Sequence, residues 1–299
     1  MSRCGIAERL ARCVTEALLV ACLAVSLACS EKGATPPSDS EPARSLNNVH
    51  YGSDNAQVMD VLLPAARTSA TAVVVFIHGG GWEGGDKGIF TATDLAKFTA
   101  RGYACVNINY RLASVPLNIH DPILSNDVSA AIDYVVAHAA DYHVATDKFA
   151  LVGHSAGAHL ALMAAYKYNT LQRIKAVASL SGPTDLTDST FLAVPTIRAL
   201  IERYLGVTQA AQPARWTGAS PVSVASAASP PTILLQGRVD GLVPYTQAEL
   251  LRNRLRALGL TYDYRLFATY DHDLGYAVLN HFPDDVWDPT LAWFALYVK

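Results

Sequence analysis

The sequence predicts an α/β domain built on a mostly parallel sheet of about eight strands, with helices on both faces. Two observations carry that prediction. Past residue 46, apolar runs of strand length alternate with longer helical patterns, the order that lays helices over both faces of a parallel sheet. The composition is 51% hydrophobic and only 16% charged, so the 299 residues can bury a large core.

The elements follow in chain order. Residues 49–51 and 58–63 have no helix between them and read as an antiparallel pair at the leading edge. Residues 72–77, 103–109, 149–153, 176–181, 232–236 and 262–267 are short apolar runs bounded by Gly, Pro or polar residues, which predicts buried strands. Helical patterns fall at 93–100, 125–139, 156–168, 246–258 and 289–298. Residues 183–231 break the alternation. That stretch is too long for a structureless connection, and helical spacing over 191–205 predicts a small cap above one end of the sheet.

The first 46 residues stand apart from this pattern. Arg3, Arg9 and Arg12 precede a charge-free apolar stretch at 17–28 that ends in small residues, the layout of a secretory signal peptide. Its core is shorter than a bilayer span. Ser26-Leu27-Ala28-Cys29 resembles a bacterial lipobox, with Ser where that pattern prefers Leu. Residues 1–28 are therefore expected to be removed and Cys29 to carry lipid on an exported protein, with plain secretion the alternative. Residues 29–46, rich in Ser, Pro and charge, read as a flexible tether to a domain at 47–299. Cys4, Cys13, Cys22 and Cys29 all precede that domain, so the cysteines do not form a disulfide framework and Cys105 reads as a core thiol. A net charge of -3 supplies no excess of Lys and Arg, which argues against a nucleic-acid partner.

Three segments carry chemistry. Gly153-His154-Ser155-Ala156-Gly157 lies between a predicted strand and a predicted helix, the setting in which Gly-x-Ser-x-Gly lifts a serine hydroxyl clear of the sheet. Strand and helix can approach that closely only if positions 153 and 157 lack side chains. His78-Gly79-Gly80-Gly81-Trp82 follows another strand, and its glycines let backbone N–H groups reach a ligand, as an oxyanion hole requires. Gly79-x-Gly81-x-x-Gly84 also satisfies the dinucleotide fingerprint formally, but the next strand ends in Asn109 and Tyr110 rather than an acidic residue. No Lys-Ser/Thr pair follows to make a P-loop, and His138 and His143 lack the spacing of a zinc helix, so no cofactor or metal is expected. Asp240 and His272 each lie just past a strand. The order Ser155, Asp240, His272 is that of the α/β-hydrolases, with His281 the one other histidine downstream of Asp240.

His78–Trp82, Asn109-Tyr110-Arg111-Leu112, the GHSAGAHL run at 153–160 and the GRVDGLVP run at 237–244 together resemble the α/β-hydrolase carboxylesterases of the hormone-sensitive-lipase-like group, in a branch with arylformamidases and bacterial feruloyl or acetyl esterases. The resemblance covers roughly residues 47–299. It implies Ser155 as nucleophile, His272 as base, Asp240 as its orienter, and the N–H groups of Gly79, Gly80 and Ala156 as the oxyanion hole. It also implies a structural pair of Arg111 and Asp127 beneath the site. Asp273 departs from the group, which often has Gly after the catalytic His.

A serine carboxylesterase acting on short-chain, small-molecule esters is the expected activity. An arylformamidase, a feruloyl or acetyl esterase of plant polysaccharide side groups, and a non-catalytic scaffold are the alternatives. Trp82, beside the oxyanion glycines, is expected to narrow the space near the reacting carbonyl, and the membrane is expected to be met only through the lipid at Cys29.

Overall fold

The run Val73–Ile77 has no polar face to offer solvent, so it can sit only where both faces of a sheet are covered. The computed structural model describes residues 41–298 and places that run near the middle of an eight-stranded sheet. The strands are β1 Arg44–His50, β2 Val58–Leu63, β3 Val73–Ile77, β4 Ala104–Ile108, β5 Phe149–His154, β6 Ile174–Leu180, β7 Thr232–Gly237 and β8 Tyr262–Phe267. Their order is β1-β2-β4-β3-β5-β6-β7-β8. β2 runs antiparallel to both β1 and β4, and every other neighbouring pair is parallel. This is the expected α/β-hydrolase fold. The expected signal segment 1–28 and Cys29 lie outside the described residues.

The helices are α1 Ala92–Thr99, α2 Ile123–Ala137, α3 Ala139–Tyr142, α4 Ala156–Tyr166, α5 Pro195–Leu205, α6 Pro213–Gly218, α7 Pro221–Val224, α8 Thr246–Ala257, α9 Tyr276–Leu279 and α10 Asp284–Tyr297. Alternate side chains of β3 divide between two cores. Val73, Val75 and Ile77 pack with α2, α4 and α8, whereas Val74 and Phe76 pack with Phe98 of α1 and with Trp287 and Phe294 of α10. The parallel register aligns Ile77 with Gly153 and Gly237 with Phe267, so the connections leaving β3, β5, β7 and β8 emerge along one sheet edge.

Four expectations need correction. The expected tether end at residue 46 is already in the sheet, because Arg44–Leu46 pairs with Val61–Leu63. Arg67 holds that approach: its buried guanidinium donates to Glu41 Oε2 at 3.0 Å and to the carbonyl of Pro42. The polar look of β1 comes from its edge position, which leaves most of its side chains exposed. β8 is likewise an edge strand and is only half-buried. The last helix starts at Asp284, not 289. Pro289 lies inside it at the cost of one backbone hydrogen bond, while Asp284 and Asp285 favour the first turn through the helix dipole. The cap region 183–231 holds three helices, α5, α6 and α7, each opened by a proline in its first turn.

Candidate active site

The turn from β5 into α4 is the tightest place in the sheet. A Cβ on Gly153 would strike the backbone of Gly157, and one on Gly157 would strike the carbonyls of Ile77 and His78. Ser155 between them has φ 54° and ψ -121°, a conformation L-residues avoid, and its N–H is tied to Leu180 O at 2.8 Å. The close strand–helix approach expected from two side-chain-free positions is present, and it projects Ser155 Oγ from the sheet edge.

The connections after β7 and β8 bring two distant residues to that hydroxyl. His272 Nδ1 lies 2.9 Å from Asp240 Oδ2, and its Nε2 lies 2.8 Å from Ser155 Oγ. A carboxylate accepts only, so the His272 proton is on Nδ1 and Nε2 presents its lone pair to the serine O–H. Asp240 is fully ordered by donors: Oδ1 accepts from the N–H groups of Leu242 (2.9 Å) and Val243 (2.8 Å), and Oδ2 also accepts from Gln236 Nε2 at 2.8 Å. Its side chain is out of solvent contact, so the negative charge is offered to His272 in low dielectric. His281, by contrast, lies away from Ser155, and among the described residues its hydrogen bond is to the carbonyl of Phe282.

The glycine loop after β3 presents its amides by having its carbonyls occupied. Tyr110 Oη donates to His78 O at 3.0 Å, and the planar peptide then points the Gly79 N–H the opposite way. His78 Nδ1 donates to Gly79 O at 2.7 Å, which turns the Gly80 N–H likewise. Among the described residues, no backbone hydrogen bond uses either of these N–H groups. Gly80 has φ +113° and a Cβ there would meet Gly84 O, so only glycine fits. Gly79 lies against Ser155, since a Cβ on it would come within 3.1 Å of the serine Cβ. Ala156 opens α4, where an N–H has no intrahelical acceptor. Three free donors therefore flank one hydroxyl.

A cavity of about 460 Å3 opens over this cluster. Its apolar wall is Ile89, Phe191, Ile197, Leu200, Leu242 and Val243. Trp82 lines it too, beside the oxyanion glycines, and its buried indole donates to His159 Nδ1 at 3.3 Å and stacks on Tyr204 of α5 at 4.5 Å. Leu200 of α5 packs close over Gly81, where a Cβ would come within 3.0 Å of its side chain. His159 in turn donates from Nε2 to Ala219 O at 2.8 Å, so the oxyanion loop, α4 and the cap are hydrogen-bonded through one imidazole. Burial holds that imidazole neutral, with a pKa of about 4.

Two carboxylates complete the cavity lining, Asp86 and Asp273, and among the described residues no Lys or Arg joins them there. Burial pushes the Asp86 carboxyl up, but Asn109, the Gly88 N–H and Lys87 outweigh it and keep the group ionised. Arg111 and Asp127 form the pair expected beneath the site. Arg111 Nη2 to Asp127 Oδ1 is 2.6 Å, and Asp127 also accepts from Gln57 Nε2 at 2.8 Å. Sequence reasoning missed the roles of Tyr110, Gln236, His159 and His154. Tyr110 and the two histidines lie inside quoted motifs, and that placement was the available signal. Gln236 carried none beyond ending its strand.

The BD-FAE family model matches residues 59–255. A Mycobacterium tuberculosis protein, "Probable carboxylic ester hydrolase LipM", is 34% identical over 64% of this chain and 47% of its own length. Kynurenine formamidase of Danio rerio is 30% identical over 50% of this chain and 51% of its own. The chain thus spans about half the length of these relatives. Among solved structures, a truncated carbohydrate esterase from gut microbiota superposes with a TM-score of 0.71 at 22% identity, over 86% of this chain and 99% of that one. At that identity the likeness speaks for the fold.

Proposed function

The chain belongs to the BD-FAE family, and we propose on that premise that it is a serine carboxylesterase of small, short-chain esters. The observation that carries the proposal is the relay of 2.9 Å and 2.8 Å from Asp240 through His272 to a strained Ser155, beside three free backbone donors. Ser155 Oγ attacks the ester carbonyl carbon as its proton passes to His272 Nε2. The N–H groups of Gly79, Gly80 and Ala156 take up the charge on the carbonyl oxygen, and Asp240 stabilises the imidazolium. His272 then gives the proton to the departing alkoxide, leaving an acyl group on Ser155. Water, with His272 again as base, releases the acid.

A fluorophosphonate probe should label the wild-type protein on Ser155 and abolish turnover of phenyl acetate. Ser155→Ala should fold, resist labelling and hydrolyse nothing above background, and retained activity in that variant would refute the mechanism. Formamide hydrolysis is a second reading, favoured by the likeness to kynurenine formamidase and served by the same acyl-transfer groups. The ratio of kcat/KM for phenyl acetate to that for N-formylkynurenine separates the two.

A further inference from the structure

His154 precedes the nucleophile, is buried, and plays no part in the proton relay. Its Nε2 lies 3.0 Å from the main-chain oxygen of His272. A carbonyl can only accept, so the single proton of a neutral His154 is on Nε2, and the structure leaves Nδ1 buried without a partner. An orphaned ring nitrogen in a core is costly, and it persists here beside a tie that no other side chain supplies. Among the described residues, His154 is the donor recorded for the His272 carbonyl.

We propose, resting on the serine-esterase reading, that His154 is a positioning residue that fixes the catalytic base on the nucleophile turn. His272 belongs to the connection between β8 and α9, with no ladder of its own, and its neighbours Asp271 and Asp273 face solvent or the cavity. Besides its bond to Asp240, it meets the nucleophile turn at two points one residue apart: its side chain reaches Ser155 and its backbone reaches His154. Because residues 154 and 155 are adjacent, the second tie fixes the direction from which Nε2 approaches Oγ. The two rings lie 5.1 Å apart. A cation on His154 would therefore oppose the imidazolium that His272 becomes during turnover. Burial first, and the neighbouring His272 second, hold His154 at about 4 and keep it neutral, against the pull of the His272 carbonyl.

Two substitutions and one spectrum test this. His154→Leu removes the donor at similar volume, whereas His154→Gln can present an amide N–H to the same carbonyl. The Leu variant should lose on the order of 10²-fold in kcat while KM stays within about twofold, since binding survives and alignment does not. The Gln variant should recover most of that loss. The downfield proton of His272 Nδ1 should shift or broaden in the Leu variant and return in the Gln variant. Equal losses in both variants, or a loss confined to KM, would overturn the proposal. Should the Leu variant not fold, 15N-histidine spectra of the wild-type protein still decide: His154 must carry its proton on Nε2 at neutral pH, and a proton on Nδ1 defeats the inference. Wild-type labelling on Ser155 reports separately on the esterase reading.

Discussion

At the scale of single residues, the site depends on groups that orient rather than react. Asp240 accepts four hydrogen bonds in all, so Asp240→Asn would turn an amide N–H toward groups that are already donors. It would also favour the wrong tautomer of His272. A loss of about 10⁴ in kcat with little change in fold is expected, readable by steady-state kinetics beside circular dichroism. Asp273 works at longer range. It lines the cavity with Asp86, and among the described residues no Lys or Arg joins them in that lining. Acetylcholine and 3,3-dimethylbutyl acetate share a shape and differ by one positive charge. The cationic ester should be favoured by roughly fivefold in kcat/KM, about 1 kcal/mol of partly screened attraction. Asp273→Asn should lower that preference and leave the neutral ester unaffected. Equal preference in both proteins would show that the carboxylate faces away from bound substrate.

At the scale of elements, the cap helix α5 and the oxyanion loop behave as one piece. Tyr204 stacks on Trp82, Arg203 Nη2 meets Glu83 Oε2 at 2.9 Å, and Leu200 abuts Gly81. The exposed ion pair adds little to stability, so the stacking and the buried contacts do the holding. A helix locked down over the nucleophile limits acyl length. Turnover of p-nitrophenyl esters should peak between acetyl and butyryl and fall steeply beyond octanoyl. Leu200→Ala should raise the octanoyl-to-butyryl ratio of kcat/KM by about tenfold, the worth of a methylene or two in an apolar pocket. A maximum at C12 or longer in the wild-type protein would contradict a closed cap. That α5 does this was not legible in sequence: its apolar spacing revealed a helix, but the contact it makes is with a loop over a hundred residues earlier.

At the scale of the whole molecule, three buried imidazoles, His78, His154 and His159, tie the structure to pH, and burial lowers the last two furthest. Burial holds His154 and His159 at about 4, whereas in the unfolded chain each titrates near 6.5. Between those values the unfolded chain binds protons that the native one refuses. Their contribution is complete above about pH 6.5 and is lost as pH falls toward 4, roughly 3 kcal/mol per histidine. Tm should therefore drop across that window, and the drop should be smaller in His159→Leu. An equally steep fall in the variant would assign the effect to carboxylates instead. The fold class, most strand positions and the three side chains of the Asp240–His272–Ser155 relay were readable in sequence, because strand-length apolar runs, Gly-x-Ser-x-Gly and the order Ser155, Asp240, His272 are local or one-dimensional signals. The start of β1, the orientation of Trp82 and the number of cap helices were not, because edge exposure and packing partners are set by segments remote in sequence. The tertiary structure alone decided which polar groups close the site. Tyr110, His154 and His159 act through hydrogen bonds to groups remote in sequence, and such a bond leaves no period or motif in the chain, while Gln236 reaches Asp240 four residues on through a strand-end geometry that no motif encodes.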